Sequence, residues 1–266
     1  MNDALSRFLT VPGSLFLRWM NTLGDVFLFF LEGIRQVFIA PKLFRKVLQQ
    51  IYAIGSKSML LIGFISLFTG MVLGLQGYYV LVKFGSVGFL GAAVSLTLIR
   101  ELGPVLTAIM VTGRAGSSMA AEIGVMRITD QIDALEVMDI PGMGYLVAPR
   151  FVASLIAFPL LTAFFDVVGI IGGYVTGVML LGINAGSYFH GIESSVLMAD
   201  VIEGFIKSLT FGLLVSLICC HQGYNAHKRR DGMGPEAVAN ATTSAVVISC
   251  VLVLVGDYVV TSAMLR

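Results

Sequence analysis

Long apolar stretches separated by short polar connections constrain what this chain can fold into more than any other feature. The clearest stretch runs without a charge between Lys57 and Lys83, and it exceeds the ~20 apolar residues that carry a helix across a bilayer. Four further spans are predicted at about residues 88–120, 150–181, 204–222 and 237–264. Because a backbone in lipid must satisfy its own hydrogen bonds, we predict an all-α integral membrane protein with five transmembrane helices.

The overall composition excludes a soluble globular domain. Hydrophobic residues make up 57% of the 266 residues and charged residues only 12%, whereas soluble domains carry about 25% charged residues. The three cysteines all lie in apolar runs, which is typical of small buried side chains rather than of a disulfide framework. Glycines recur at four-residue spacing, at Gly70 and Gly74 and again at Gly169 and Gly173, and this spacing indicates close helix packing.

The N-terminal region differs from the rest because charges recur within an apolar stretch. Residues 14–39 carry four charges on one stripe, opposite a set of large apolar side chains. Four charges would be costly in a spanning helix, so the pattern favours an amphipathic helix that lies in the membrane interface, with Trp19 as its anchor. We therefore predict an interfacial segment over residues 1–57 and a five-span membrane domain over residues 58–266.

The placement of Lys and Arg residues predicts the orientation of the chain in the membrane. Basic residues are concentrated before residue 58, around the connection 121–149 and in the loop at 228–230, whereas the connection 182–203 has none. Cytoplasmic loops carry the excess of Lys and Arg. We therefore expect the N-terminus in the cytoplasm, the C-terminus outside, and the protein in a bacterial inner membrane.

The connection between the second and third spans holds an acidic, amphipathic pattern. Carboxylates recur on one helical face and apolar residues on another: Asp130, Asp133 and Glu136, and Ile128, Ile132, Leu135 and Met138. With Thr129 as the N-cap and Pro141 beyond the end, this pattern predicts a short cytoplasmic helix within about residues 122–140. Such a helix either docks into a groove of a cytoplasmic partner, with apolar anchors and charges that set the register, or is a solvated connector.

Around this connection the sequence resembles the MlaE family of permeases. The similarity is carried by Glu101-Leu-Gly-Pro-Val-Leu-Thr-Ala-Ile-Met-Val-Thr-Gly-Arg114-Ala-Gly, Ala-Glu122-Ile-Gly-Val-Met-Arg127, Asp130-Gln-Ile-Asp133-Ala-Leu-Glu136-Val-Met and Pro149-Arg150. It is strongest over about residues 100–150 and extends more weakly to the C-terminus, where it includes Gly223-Tyr224. The length of the shared motif makes this family the expected one.

The resemblance implies a homodimeric permease subunit of an ABC transporter that moves glycerophospholipids between the inner and outer membranes and so maintains lipid asymmetry. The implied partners are a second copy of the chain, a cytoplasmic ABC ATPase that binds the ATP, a hexameric ring of an MCE-domain protein on the periplasmic side, and a STAS-like cytoplasmic subunit. The chain itself is expected to hold no cofactor or metal, to bind no nucleic acid and to be no enzyme. The coupling helix would contact the ATPase through Glu122, Arg127, Asp130, Asp133 and Glu136.

Charged residues inside the predicted spans are candidate substrate-binding groups, because each costs about 2.5–3.5 kcal/mol at the centre of a spanning helix. We expect Arg100, Glu101 and Lys207 to line a lipid cavity between two protomers, with the cations attracting a phosphate head group. Alternatively, Glu101 and Lys207 form an ion pair that packs two helices, and Arg100 snorkels to the interface. Gln76 and Tyr79 are candidates for the cavity wall or are ordinary interface residues.

Other features keep a second class of function open. Asp166 and Asp257 have no partner evident from the sequence and are interpreted as polar groups in helix packing. An ion-coupled secondary transporter of an amphipathic substrate could use Glu101 or Asp166 near mid-membrane, although no inverted repeat is evident. Catalytic motifs are absent from the sequence: there is no Gly-x4-Gly-Lys-Ser/Thr loop and no Gly-x-Ser-x-Gly, and the three histidines form no predictable metal cluster.

Overall fold

The computed structural model describes residues 2–39, 43–228 and 234–264, and within its first helix it describes the side chains from Met20 onward. Throughout these ranges the chain is helical and contains no strand. The helices follow one another with short connections, as expected for a chain whose backbone groups must pair within each segment. The predicted all-α class is therefore confirmed for the part of the chain that is described.

Among the described residues, five helical segments are long and apolar enough to cross a membrane, as predicted. These segments are called the first to fifth spans: Phe44–Lys83, Val87–Ile128, Met143–Leu180, Met198–Tyr224 and Pro235–Met264. The predicted bounds were too short at several ends, most clearly for the first span, which begins at Phe44 rather than after Lys57, and for the second, which continues to Ile128 rather than to about residue 120. Hydropathy marks only the apolar middle of a helix, whereas the hydrogen-bonded backbone extends into the polar flanks.

The first three spans are α-helices joined end to end by π-helical turns. The α-helical pieces are α2 (Leu43–Ile51), α3 (Lys57–Lys83), α4 (Leu90–Thr97), α5 (Gly103–Val111), α6 (Ser117–Ile128) and α8 (Ala148–Tyr174). The π-turns are Tyr52–Ser56, Leu98–Leu102, Thr112–Gly116, Met143–Val147 and Val175–Leu180. The π-turn Leu98–Leu102 lies in the middle of the second span, which continues through it as one helical segment. Pro104 follows this turn directly, at the start of α5, and because proline has no N–H it cannot donate to a carbonyl oxygen of the preceding turn.

Glycines bring the first and third spans into backbone contact. A methyl group at Gly70 would collide with the carbonyl oxygen of Gly169, and one at Gly74 would lie 3.1 Å from the carbonyl oxygen of Gly173. The close packing predicted from the four-residue glycine spacing is therefore confirmed. Helix α10 (Met198–Tyr224) packs against α5, α6, α8 and α11 (Pro235–Met264), so its polar residues face other helices.

Helix α1 runs from Asn2 to Ile39 and is longer than the predicted amphipathic helix. Phe29 packs edge-on against the ring of His221, and Gly33 lies against the ring of Phe151. These contacts fix α1 to one end of the third and fourth spans. The predicted interfacial position stays a prediction, and the side chain of the proposed anchor Trp19 lies outside the described residues.

The acidic connection forms differently from the prediction. Helix α6 continues to Ile128, and Thr129 ends it, with its hydroxyl donating to the carbonyl oxygen of Val125. Asp130 then adopts a left-handed conformation with φ 56° and precedes the short α7 (Gln131–Val137). The predicted short helix is present as α7, but its predicted N-cap was wrong, because Thr129 ends α6 and Asp130 precedes α7. An aspartate can adopt this conformation because its short polar side chain tolerates it, and this places the break at Asp130.

Two further features complete the fold. Helix α9 (Ala185–Ser195) occupies the connection between the third and fourth spans, and its N-cap Asn184 accepts backbone hydrogen bonds at 2.8 and 3.3 Å. A short 3-10 turn, Ala226–Lys228, follows the fourth span. Arg229 and Arg230, which contributed to the predicted orientation, lie outside the described residues. Five spans place the two ends of the membrane domain on opposite sides.

Candidate functional site

An ionic cluster lies between the second, fourth and fifth spans. Its members, defined here as the ionic cluster, are Arg100, Glu101, Asp200, Glu203, Lys207 and Asp257. Two of them come from the π-turn Leu98–Leu102, three from α10 and one from α11. Such a concentration of charge inside apolar helices is expensive and marks a functional region by default.

The local structure explains how both neighbouring charges of the second span reach α10. Consecutive side chains on an α-helix point about 100° apart, but Arg100 and Glu101 lie in a π-turn, and both contact α10. On α10 the spacing of Asp200, Glu203 and Lys207 by three and four residues puts their side chains on one face. The π-turn and this face together bring opposite charges into contact.

Lys207 is the centre of the ionic cluster and is completely buried. Its Nζ donates to the backbone oxygen of Arg100 at 2.7 Å and to Oε2 of Glu101 at 2.8 Å. Oδ1 of Asp257 lies 3.2 Å from the same Nζ, and Oε1 of Glu203 lies 3.9 Å away. Lys207 thus makes two hydrogen bonds, and Asp257 and Glu203 add opposite charge at ion-pair distance.

Arg100 has carboxylate partners of its own on α10. Its Nε and Nη2 each donate to Oε2 of Glu203 at 3.3 Å, and Nε lies 3.4 Å from Oδ1 of Asp200. Asp200 also accepts the backbone N–H of Leu197 at 2.8 Å and so starts α10. The side chain of Arg100 is 38% exposed, and Arg100 is thus paired rather than simply extended to an interface.

Sequence reasoning brought together only part of this cluster. It placed Glu101 and Lys207 at one depth, and the structure pairs them. It missed Asp200 and Glu203, although their spacing from Lys207 was a usable signal. It also left Asp257 without a partner as a group in helix packing, and this was incomplete because Asp257 lies at ion-pair distance from Lys207.

The two proposed cavity-wall residues lie apart from these contacts. Gln76 borders a groove of about 290 Å³ between α3 and α4, together with Gly77, Ala93 and Thr97. Tyr79 is exposed, and its ring meets that of Tyr78 at 5.9 Å. Among the contacts of the described residues, neither one touches a member of the ionic cluster.

Asp166 lies in a different place from the ionic cluster. Its Oδ1 is buried against Gly103 and has no hydrogen-bond partner within the described ranges. The residue borders a groove of about 230 Å³ that Thr162 and Phe205 also line. Asp166 is therefore a membrane carboxylate held by packing alone in the part of the chain that is described.

A second charged region surrounds α7 and is called the coupling region: Glu122, Arg127, Asp133, Glu136, Arg150, Tyr224 and His227. Arg127 donates from Nη1 to Oδ1 of Asp133 at 2.6 Å and from Nε to Nδ1 of His227 at 3.1 Å. Its guanidinium lies 5.2 Å from the ring centre of Tyr224. The Tyr224 hydroxyl donates to Oε1 of Glu136 at 3.2 Å. Arg127 and Tyr224 thus tie α7 to the second and fourth spans.

The apolar residues of α7 divide between the protein interior and its surface. Ile132 is completely buried with Phe29, Leu146 and other residues of a second apolar core. Val137 is 88% exposed, and Met138 is also exposed. The prediction that one apolar face is available to a partner was therefore only partly correct, since Ile132 is used by the chain itself. Asp130, which was also predicted to contact a partner, is exposed.

The remaining predicted contact residue, Glu122, lies on α6 rather than on α7. Its Oε2 accepts from Nη2 of the buried Arg150 at 2.8 Å.

Partial burial, together with the positive charges of Arg127 and Lys228, lowers the pKa of His227 below its usual value. Neutral His227 is the form that accepts the hydrogen bond from Arg127. Across the described residues, no group of three or more His, Cys, Asp or Glu side chains could hold a metal ion.

Comparison with known proteins gives a consistent family. The family model for Permease MlaE matches residues 47–263. The intermembrane phospholipid transport system permease protein MlaE of Haemophilus influenzae is 40% identical over 224 residues, which is 84% of this chain and 84% of that protein. A probable ABC transporter permease protein of Rickettsia bellii is 38% identical and covers 92% of this chain and 93% of its own length.

The similarity extends beyond bacteria. The chloroplastic protein TRIGALACTOSYLDIACYLGLYCEROL 1 of Arabidopsis thaliana is 34% identical over 218 residues, which is 82% of this chain and 61% of the plant protein. The matched region of the family model contains the whole ionic cluster and the whole of α7. The two charged regions are therefore both parts of the shared domain.

Proposed function

Since this chain belongs to the MlaE permease family, we propose that it is the membrane-spanning subunit of an ABC transporter that moves glycerophospholipids between the inner and outer membranes. It is a multi-pass protein of the inner membrane. The observation that carries this conclusion is the family match over residues 47–263. The ionic cluster supports it, because charges kept inside apolar spans suit the passage of a polar head group.

The energy for transport comes from a separate ATPase subunit that binds ATP, and this chain contributes neither a cofactor nor catalysis. The contact surface of this proposal is α7 with its flanks. Exposed carboxylates at Asp130, Asp133 and Glu136 set the register, and Val137 with Met138 supplies the apolar contact. Because Arg127 and Tyr224 bind α7, a displacement of α7 would pass directly to the second and fourth spans.

The proposal includes further partners and an orientation. A second copy of the chain would complete the permease, a hexameric ring of an MCE-domain protein would face the periplasmic side, and a STAS-like subunit would bind in the cytoplasm. The N-terminus and α7 would lie in the cytoplasm and the C-terminus outside. The family resemblance supports these partners, and the distribution of Lys and Arg supports the orientation.

The proposed lipid contact is the exposed side of the ionic cluster. Arg100 is the cation that can meet a phosphate, because its guanidinium is partly exposed, whereas Lys207 is buried and positions Glu101. Gln76 and Tyr79 lie apart from the ionic cluster within one copy of the chain. In this proposal they would form part of the cavity wall where a second copy completes the cavity. In this proposal Arg100 contacts the lipid phosphate, and Lys207 has a positioning role only.

Reconstitution of the complete transporter tests the function directly. The chain is purified with its ATPase, placed in vesicles with a fluorescent phospholipid, and assayed for lipid transfer with ATP. A hydrolysis-resistant ATP analogue is the matched control. We expect transfer with ATP and none with the analogue. Transfer that ignores ATP and follows an ion gradient would instead favour a secondary transporter, for which Asp166 would be the first residue to test.

A further inference from the structure

A small polar pocket lies where the first span meets the second, apart from the ionic cluster. It encloses about 70 Å³, and its polar lining residues are Gln50, Lys57, Arg114, Ser118 and Glu122. Arg114 follows Arg100 by 14 residues, which is about 20 Å along a helix. Because Glu122 also belongs to the coupling region, the pocket lies at that end of the spans and is separate from the ionic cluster.

The guanidinium of Arg114 is fixed in this pocket from one side. Its Nη1 donates to Oγ of the buried Ser58 at 3.0 Å and to the backbone oxygen of Ala53 at 3.3 Å. Among the described residues, no carboxylate pairs with Arg114, and its Nε and Nη2 have no acceptor. These two nitrogens therefore keep donors for a ligand in a fixed position.

The other charges of the pocket add to the positive charge of Arg114. Lys57 is exposed at the start of α3 and has no carboxylate partner in the part of the chain that is described. Both oxygens of Glu122 are already used, since Oε1 accepts from Oγ of Ser118 at 2.9 Å and Oε2 accepts from Nη2 of Arg150 at 2.8 Å. With Glu122 compensated by Arg150, Lys57 and Arg114 give the pocket an excess of positive charge.

Apolar side chains flank Lys57 along the first span. Tyr52, Met59 and Leu60 are all exposed, and exposed apolar side chains of a membrane span suit contact with acyl chains. Basic pockets between spans are typical sites for anionic lipid head groups. The surroundings therefore favour a ligand that reaches the pocket from the membrane.

We propose that this pocket binds a phosphate group, with Arg114 and Lys57 as its two cations, and that an anionic lipid supplies the phosphate. The planar guanidinium suits two phosphate oxygens, and the ammonium group adds a second charge. The pocket volume is about twice the share of one water molecule in the liquid, so it suits a phosphate and leaves the rest of the lipid outside. Such a lipid is a bound component at the coupling end rather than cargo, which goes beyond the proposed function. Free phosphate has the same chemistry and is the alternative source.

The first test compares ligands on the full-length chain, delipidated in detergent, by thermal unfolding. The additions are phosphatidylglycerol, a monoglucosyl diacylglycerol with the same acyl chains, and inorganic phosphate. We expect phosphatidylglycerol in tenfold excess over its dissociation constant to raise the unfolding midpoint by about 3 °C, and the glucosyl lipid to leave it unchanged. An equal rise with inorganic phosphate would identify free phosphate as the source. Equal effects of the two lipids, or no rise with either phosphate compound, would overturn the inference.

The second test locates the binding site. Lys57→Gln removes an exposed cation of the pocket, and we expect the concentration of phosphatidylglycerol at half-maximal shift to rise about tenfold, the loss of one charge-assisted hydrogen bond. The matched control is Lys83→Gln at the other end of α3, which should keep the wild-type concentration. Arg114→Gln should abolish the shift. If Arg114→Gln does not fold, Lys57→Gln decides alone, and equal results for Lys57→Gln and Lys83→Gln would overturn the inference.

A third variant separates this pocket from the ionic cluster. Arg100→Gln removes the exposed cation of the ionic cluster and should keep the phosphatidylglycerol shift. Loss of the shift in Arg100→Gln, with retention in Lys57→Gln, would place the lipid at the ionic cluster and overturn the inference. The proposed function is tested independently, because ATP-dependent lipid transfer by the complete transporter is measured without reference to the shift.

Discussion

The two charged regions of this chain use the same residue types in opposite arrangements. In the ionic cluster a cation is the most buried member, and Lys207 is enclosed by carboxylates from two other spans. In the coupling region the carboxylates face outward, and Arg127 holds the exposed Asp133 from the side of the protein. A buried pair fixes helices relative to each other, because breaking it strands a charge, whereas an exposed pair is screened and contributes little stability. The ionic cluster therefore holds the spans together, whereas the coupling region presents a surface that can move.

Removal of the central cation should give the largest effect. Lys207→Met leaves four carboxylates around Arg100 alone, and we expect a loss of about 3–5 kcal/mol in the free energy of unfolding. Thermal unfolding in detergent, followed by intrinsic fluorescence, measures the change. Lys83→Met is the matched control, since Lys83 is exposed at the end of α3. Equal midpoints for the two variants would show that the ionic cluster does not hold the spans together.

Removal of the cation of the coupling region should instead affect function more than stability. Arg127→Ala releases Asp133 and His227, yet we expect the free energy of unfolding to fall by only ~1 kcal/mol or less. Because α7 is then untied from the second span, ATP-dependent lipid transfer should fall severalfold. The control Arg35→Ala removes an exposed arginine that pairs with Glu32 on α1. Transfer that falls in parallel with thermal stability would contradict a coupling role.

Salt should weaken the coupling region and spare the ionic cluster. Between 0.1 M and 1 M salt the screening length falls from about 10 Å to about 3 Å, which weakens charges that face water but scarcely reaches Lys207. We expect the ATPase to dissociate from the permease more readily at high salt, while the unfolding midpoint of the permease alone stays constant. Size-exclusion chromatography and thermal unfolding measure the two quantities. A midpoint that fell with salt would show that the ion pairs of Lys207 are screened, contrary to its burial.

Acidification should have the smallest effect. The pKa of His227 is lowered in the folded chain, so its contribution to stability is present above the unfolded value of about 6.5 and is lost as the pH falls through the lowered pKa. Protonation removes the acceptor for Nε of Arg127 and adds a positive charge beside Lys228. The hydrogen-exchange protection factors, which correct for the pH dependence of intrinsic exchange, should therefore fall modestly around residues 225–228 and α7 between pH 7.5 and 5. His227→Ala should show the same protection factors at both pH values.

The sequence predicted the features that depend on average properties of long segments. Hydropathy located all five spans. The similar predicted depth of Glu101 and Lys207 in the membrane indicated that these two residues pair, and they do. The sequence did not predict the π-turn at Leu98–Leu102, because one extra residue in an otherwise regular helix leaves no periodic signal. The sequence analysis also missed Asp200 and Glu203, which lie before the apolar part of the fourth span and belong to it only because α10 starts at Met198.

The split of the acidic connection into α6 and α7 had a similar cause. Thr129 is a good N-cap by residue type, but a threonine can also close the preceding helix, as it does here. The burial of Ile132 against Phe29 depends on α1, which is distant in the sequence. The proposed roles of the coupling residues and of the lipid-contact residues stay predictions, and the experiments above test them.

The π-turn in the middle of the second span accommodates one residue more than a regular α-helix would need. Deleting a single residue from Leu98–Leu102 would therefore restore regular winding and leave α4 and α5 in the same relative orientation. Arg100 and Glu101 would then point to different neighbours, although every later residue of the span could keep its place. The turn therefore holds the two charged side chains in place without interrupting the helix of the second span. A single-residue deletion there should therefore separate the assembly of the ionic cluster from the packing of α5 and α6.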